Sequence, residues 1–149
     1  VDYSTLLFFL GILMAVATLQ IAGILDQMFT FLNDKIHNVY LINMIIGFLS
    51  SVIDNVPLVA AVMGMYPLTH TSGTLSPYLM NFTTDGTFWE LLAYCSGIGG
   101  SILIIGSAAG VVVMGMERIN FMWYMKHITW IAILGYLAGI GVYYLQSLV

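Results

Sequence analysis

Apolar residues run along this chain in long blocks, and the polar residues gather in short gaps between them. Residues 4–25 form the first block, and about twenty apolar residues at 1.5 Å rise suffice to cross the hydrocarbon core of a bilayer. Asp2 lies just before it and Asp26 closes it, while Thr18 and Gln20, its strongly polar interior groups, read as helix-packing residues. Residues 26–38 interleave Met28, Phe29, Phe31, Leu32 and Ile36 with Asp34, Lys35 and His37, the pattern of an amphipathic helix in the interface. His37 reads as a headgroup-level residue rather than a ligand. Residues 39–68 are apolar around a single acid, Asp54. Residues 69–87 are an aqueous external loop, in which His70 is expected to be solvated and Asn81-Phe82-Thr83 matches a glycosylation sequon by chance. Residues 88–116 are apolar but glycine-interrupted. Residues 117–127 form a second interfacial connector, with Arg118, Lys126 and His127 for charge and Phe121, Trp123, Tyr124 and Trp130 as an aromatic belt. Residues 128–148 are the last span, with Gly135 and Gly139 as a close-packing face.

Composition sharpens this into an all-α membrane protein. Of 149 residues, 60% are hydrophobic and 7% are charged, against about 25% charged in a soluble domain. A net charge of −4 argues against nucleic acid as a partner. The lone Cys95 excludes an intrachain disulfide and a thiolate cluster. The start Val1-Asp2-Tyr3 has no basic region before its apolar stretch, so it does not read as a signal peptide, and a fragment from the C-terminal part of a longer polytopic protein is expected.

Two stretches carry candidate chemistry. In the first, residues 50–61, Asp54 sits where lipid makes a carboxylate expensive, and such residues mark functional sites by default. Pro57 lacks an amide proton and disfavours helix at the preceding residue, so the backbone is expected to open beside the charge. Residues 39–68 are then either one long span broken at 54–57 or a re-entrant hairpin with its tip at 54–56. Arms of roughly fifteen and eleven residues are too short for a crossing, which favours the hairpin. In the second stretch, Gly97, Gly99 and Gly100 precede Ser101. Glycines cost a helix about 1 kcal/mol each against alanine, so two half-helices with an unwound segment at 97–101 are expected. Such breaks coordinate ions in secondary transporters. Gly106 and Gly110 read as a packing pair, and Glu90 as interfacial or reaching an aqueous access path. The positive-inside rule is satisfied by either topology.

These two stretches, together with Met114-Gly115-Met116-Glu117-Arg118-Ile119-Asn120-Phe121, resemble the C-terminal half of the NhaD-type sodium/proton antiporters, of the ion-transporter superfamily that also holds arsenite, citrate and dicarboxylate carriers. The likeness runs from about residue 4 to 148. It implies two inverted repeats, each with a re-entrant hairpin and a broken helix, this chain being the second, with the N-terminal repeat missing and a periplasmic C-terminus. A bacterial plasma membrane is the expected location. The chemistry agrees, because one carboxylate that holds either a proton or a sodium ion links the two gradients. Desolvation would raise the Asp54 pKa and a nearby cation would lower it, bringing it toward physiological or alkaline pH. Asp54 is the expected ion and proton carrier, Asn55 and Ser51 neutral ligands of sodium, and Ser101 and Ser107 ligands across the interface, beside backbone oxygens at 97–100. No cofactor is expected beyond the transported ions, and homodimerisation is left open. The alternative is an anion carrier of the same superfamily. Further off are a structural subunit and a membrane enzyme; the chain has no His-Glu-x-x-His and no second acid to partner Asp54.

Overall fold

The computed structural model describes residues 3–66, 68–69 and 76–148, so Asp2 and His70 lie outside the described residues. The described chain is helical throughout: α1 (Tyr3–Ile21), α2 (Ile24–Ile36), α3 (Val39–Ser50), α4 (Asn55–Met65), α5 (Pro77–Met80), α6 (Thr87–Gly99), α7 (Ala108–Met116), α8 (Phe121–His127) and α9 (Thr129–Gln146).

Local chemistry sets these boundaries. The first helix stops at Ile21 rather than Leu25, because Gly23 takes a left-handed φ of 70° and turns the chain. The amphipathic α2 then leaves at 73° to the end of α1. Asn38 starts α3 by accepting from the amides of Tyr40 and Leu41 at 3.0 and 3.2 Å. Ser76 and Asn120 cap α5 and α8 in the same way, so the polar loop and the second connector each contain a short helix.

Among the described residues, α9 alone is long and apolar enough to cross a membrane unaided; the bent α1–α2 pair, taken as one span, would be a second. The apolar helices α3 and α4 have 12 and 11 residues, which at 1.5 Å each reach only about 18 Å. Large side chains on α9 point outward bare, including Ile131, Leu134, Val142 and Leu145, while Tyr136 and Ile140 are buried. A soluble surface seldom shows apolar area on that scale.

The α3–α6 pair is the centre of the molecule. One cluster flanks it with Ile42, Ile46, Leu91 and Leu92, continued by the stacked rings of Tyr66 and Phe82 at 5.3 Å and by Phe88. A second cluster, Cys95, Ile102, Tyr136 and Ile140, seals the α9 side. Between α3 and α6 the backbones touch. A Cβ on Gly99 would overlap the Gly47 carbonyl, and one on Gly47 would lie 2.6 Å from the Cys95 oxygen. Tyr136 spans the same contact, donating to the Met44 carbonyl at 3.0 Å.

This approach corrects the expected position of the second break. Gly97 and Gly99 lie within α6, and the non-helical segment is 100–107. Gly99 serves contact with α3, which offsets its helix cost. The side of Gly97 is open.

Gly99→Ala must push α3 and α6 apart, so it is expected to destabilise the full-length protein by about 1–3 kcal/mol. Gly97→Ala should be neutral or slightly stabilising. Thermal unfolding in detergent reads both.

Candidate functional site

Two interruptions of helix define the site. In the first, α3 ends at Ser50, residues 51–54 are non-helical and α4 starts at Asn55. Pro57 falls in the first turn of α4, where a missing amide is tolerated. The second is the segment 100–107 between α6 and α7. Within it Ile104, buried and β-branched, holds a left-handed φ of 59°, a conformation costing of order 1–3 kcal/mol that tends to occur at functional sites.

The two interruptions lie against each other. A Cβ on Gly106 would overlap the Ser50 carbonyl oxygen and sit 2.7 Å from that of Ser51. A Cβ on Gly100 would lie 3.1 Å from the Gly106 oxygen and 3.7 Å from that of Ser50. Three backbone oxygens therefore gather where two helices stop. Among the described residues none of the three accepts a backbone hydrogen bond. Buried carbonyls are normally paired, and bare ones at membrane depth are the cation ligands of carriers. The seam is pinned by Ser50, whose hydroxyl donates to the Ser96 carbonyl at 2.7 Å, with both residues buried.

Asp54 follows Ser51 by three positions and carries the only formal charge in either interruption. It is half-buried at the N-terminus of α4. Its side chain does not cap the helix, although Asp is a favoured capping residue. Among the described residues it makes no ion pair or side-chain hydrogen bond. Ser51 is fully buried, and its hydroxyl donates to the Phe48 carbonyl at 2.7 Å, leaving the oxygen's lone pairs free. Asn55 is half-buried and lines an open groove of about 350 Å³ with Val56, Val59, Ala60 and Met63.

The other expected ligands are less united. Ser101 is exposed, and its carbonyl accepts from the Tyr124 hydroxyl at 2.6 Å. Ser107 caps α7, its hydroxyl accepting from the Gly110 amide at 3.2 Å. Neither hydroxyl contacts Asp54 or Ser51 through a hydrogen bond. Glu90 is engaged elsewhere: the Tyr143 hydroxyl of α9 donates to its carboxylate. Among the described residues no group of three His, Cys, Asp or Glu could chelate a metal.

Two buried polar residues of α3 carry no overt signal in the sequence. Ser50 stood beside the acid, but its role is a contact with a helix 46 positions away. Asn43 is fully buried on α3; its amide nitrogen donates to the Val39 carbonyl at 3.1 Å while its oxygen is unpaired. Asn43, Gly47 and Ser50 recur at helical spacing along one face, a signal hidden by the apolar run around them.

A sequence profile described as citrate transporter (CitMHS) matches residues 1–84. Sodium/proton antiporter 1 of Arabidopsis thaliana is 50% identical over 96% of this chain and 23% of that relative. The Na(+)/H(+) antiporter NhaD of Alkalimonas amylolytica is 36% identical over 95% of this chain and 26% of that protein. The NhaD antiporter of Vibrio cholerae is 33% identical over 98% and 28%. The chain thus spans about a quarter of the length of these relatives. No solved structure matches it.

Removing the Ser50 hydroxyl strips one hydrogen bond from the seam. Ser50→Ala is expected to destabilise the full-length protein by about 0.6–1.7 kcal/mol, the range of interhelical bonds in lipid, as read by thermal unfolding in detergent.

Proposed function

We propose a function on one premise: the chain belongs to the citrate transporter family. In this reading it is the ion-binding portion of an integral membrane carrier that exchanges sodium for protons, and not an enzyme. The observation that carries the proposal is the meeting of the Ser50, Ser51 and Gly106 oxygens, none of which accepts a backbone hydrogen bond among the described residues; Asp54, three positions after Ser51 in the chain, leaves its side chain out of the α4 cap. Sodium is a hard cation suited to neutral oxygens plus one carboxylate. The names of the relatives that align along nearly the whole chain support the same cargo.

Asp54 is the ion and proton carrier in this account. Ionised, it adds a charge to the carbonyl cluster and sodium can enter. Protonated, it removes that charge and releases the ion. Exclusive occupancy of one carboxylate couples the two flows. Ser51 and Asn55 supply neutral oxygens. Ser101 and Ser107 are further ligands across the interface, Ser107 the weaker because its hydroxyl already caps α7.

The finer architecture belongs to the same proposal. The short α3 and α4 form a re-entrant hairpin with its tip at Asp54, and α6 and α7 are halves of a broken helix. A companion repeat outside this chain completes the site, as the length of the relatives favours. A homodimer is compatible with this arrangement. Any membrane that sustains a proton gradient would serve. The bacterial relatives support the plasma membrane expected from the sequence, while the Arabidopsis relatives are closer in identity.

The family description favours a second reading, transport of a citrate-like anion. The free amides at the start of α4 would suit an anion. Asp54 in front of them would repel it.

Everted vesicles holding the full-length protein decide between these. Asp54→Asn should abolish sodium-dependent proton efflux, and citrate or succinate should leave wild-type efflux unchanged. Retained efflux in Asp54→Asn overturns the carrier assignment; inhibition by citrate favours the anion reading.

A further inference from the structure

The unwound segment has four consecutive carbonyls that are all engaged. Those of Leu103 and Ile104 accept from the amides of Ile105 and Ser107 at 2.7 and 3.2 Å, within the segment. Those of Ser101 and Ile102 are held from outside. Tyr124 donates its hydroxyl to the Ser101 oxygen at 2.6 Å, and Thr129 donates its hydroxyl to the Ile102 oxygen at 2.8 Å. Both donors are buried, at 8% exposure each. They lie five positions apart across the junction of α8 and α9 and hold neighbouring peptide units.

This grip has a consequence for the ion site. Without a continuous helical ladder, the segment's own amides hold only the Leu103 and Ile104 carbonyls. Tying the Ser101 and Ile102 oxygens to α8 and α9 takes them out of the cluster and fixes the peptide planes on either side. Gly106, at the other end of the segment, is left with its oxygen free beside Gly100 and Ser50. Burial pushes the Tyr124 phenol above its ordinary range, so it remains a donor at the alkaline pH where its hydroxyl would otherwise begin to ionise.

We propose that Tyr124 and Thr129 are positioning residues for the cation site: they set the geometry of the unwound segment and through it the affinity and selectivity for sodium. The proposal rests on the antiport reading above. Neither side chain touches the ion. Both act at one remove, by holding the peptide planes of the segment that carries the Gly106 oxygen; loss of partners bonded to the ligands themselves commonly costs about 10–100-fold in metal affinity, the scale taken here. The grip also links the site to α8, whose Trp123 and Met122 are exposed and whose His127 ring stacks on Trp123 at 4.8 Å. Displacement of that helix relative to α3 would therefore be felt at Ser101.

The test uses the full-length protein, with antiport in everted vesicles and sodium-induced thermal stabilisation in detergent. Tyr124→Phe and Thr129→Val should each raise the apparent KM for sodium about tenfold or more at little-changed maximal rate. They should also alter the sodium-to-lithium preference and shift the sodium dependence of stabilisation to higher concentration. Thr129→Ser keeps the donor and should behave as wild type. A loss of sodium-free thermal stability with unchanged KM and unchanged ion preference would mean a purely structural role and would overturn the proposal. Should Thr129→Val fail to assemble, Tyr124→Phe, which removes one oxygen, decides alone. Asp54→Asn run in parallel separates the two claims. If it loses both readouts while Tyr124→Phe keeps wild-type values, only the positioning role falls. If it keeps sodium stabilisation, the cation site itself falls.

Discussion

The contact on which the structure depends is the backbone approach of α3 to α6. Gly47 and Gly99 have no side chains to hold the helices apart, and Gly106 repeats the arrangement where both helices have ended. Because the contact is between main chains, the register of one helix on the other is set to within a residue. The ends of α3 and α6 consequently fall side by side, and the two interruptions face one another. A larger residue at Gly99 or Gly106 would separate the elements and disperse the oxygens between them.

That register turns an energetic liability into a site. Helices leave carbonyls unpaired at their C-termini, carrying the negative end of the dipole. Two such ends meet at Ser50 and Gly100. The opposing positive ends, at α4 and α7, are treated differently: Ser107 caps α7, whereas Asp54 leaves α4 uncapped and keeps its carboxylate unspent. In the proposed reading this balance of bare oxygens and one acid serves a cation. In lipid each unpaired oxygen costs several kcal/mol unless something replaces water at it, and a partly dehydrated sodium ion would do so.

Much of the helical layout was legible in the sequence, and the limits have physical causes. The first interruption could be found because Asp54 and Pro57 each have one strong meaning in an apolar run: a charge needing a reason, and an amide that is absent. The amphipathic helix α2 could be read from its interleaved apolar and charged residues. The second interruption was displaced because glycine has two uses. At 97–99 the glycines were read as unwinding the helix, but Gly99 is there for contact, and the break begins at Gly100. Gly106, read as packing, is part of the break and of the contact at once. Ile104 carried no warning, since a β-branched residue in a left-handed conformation contradicts its own propensity. Ser50, Asn43, Tyr124 and Thr129 act through partners distant in the chain, and no local pattern announces such pairings.

The most direct measurement of the central claim is where sodium sits. Density maps of the full-length protein, determined in saturating sodium and in choline at alkaline pH, should differ by a feature bounded by the oxygens of Ser50, Ser51, Gly106 and Asp54. The account predicts that feature in sodium, and its loss in Asp54→Asn. An ion bound away from the two interruptions, with the Ser50 and Gly106 carbonyls unchanged between the two conditions, would contradict it.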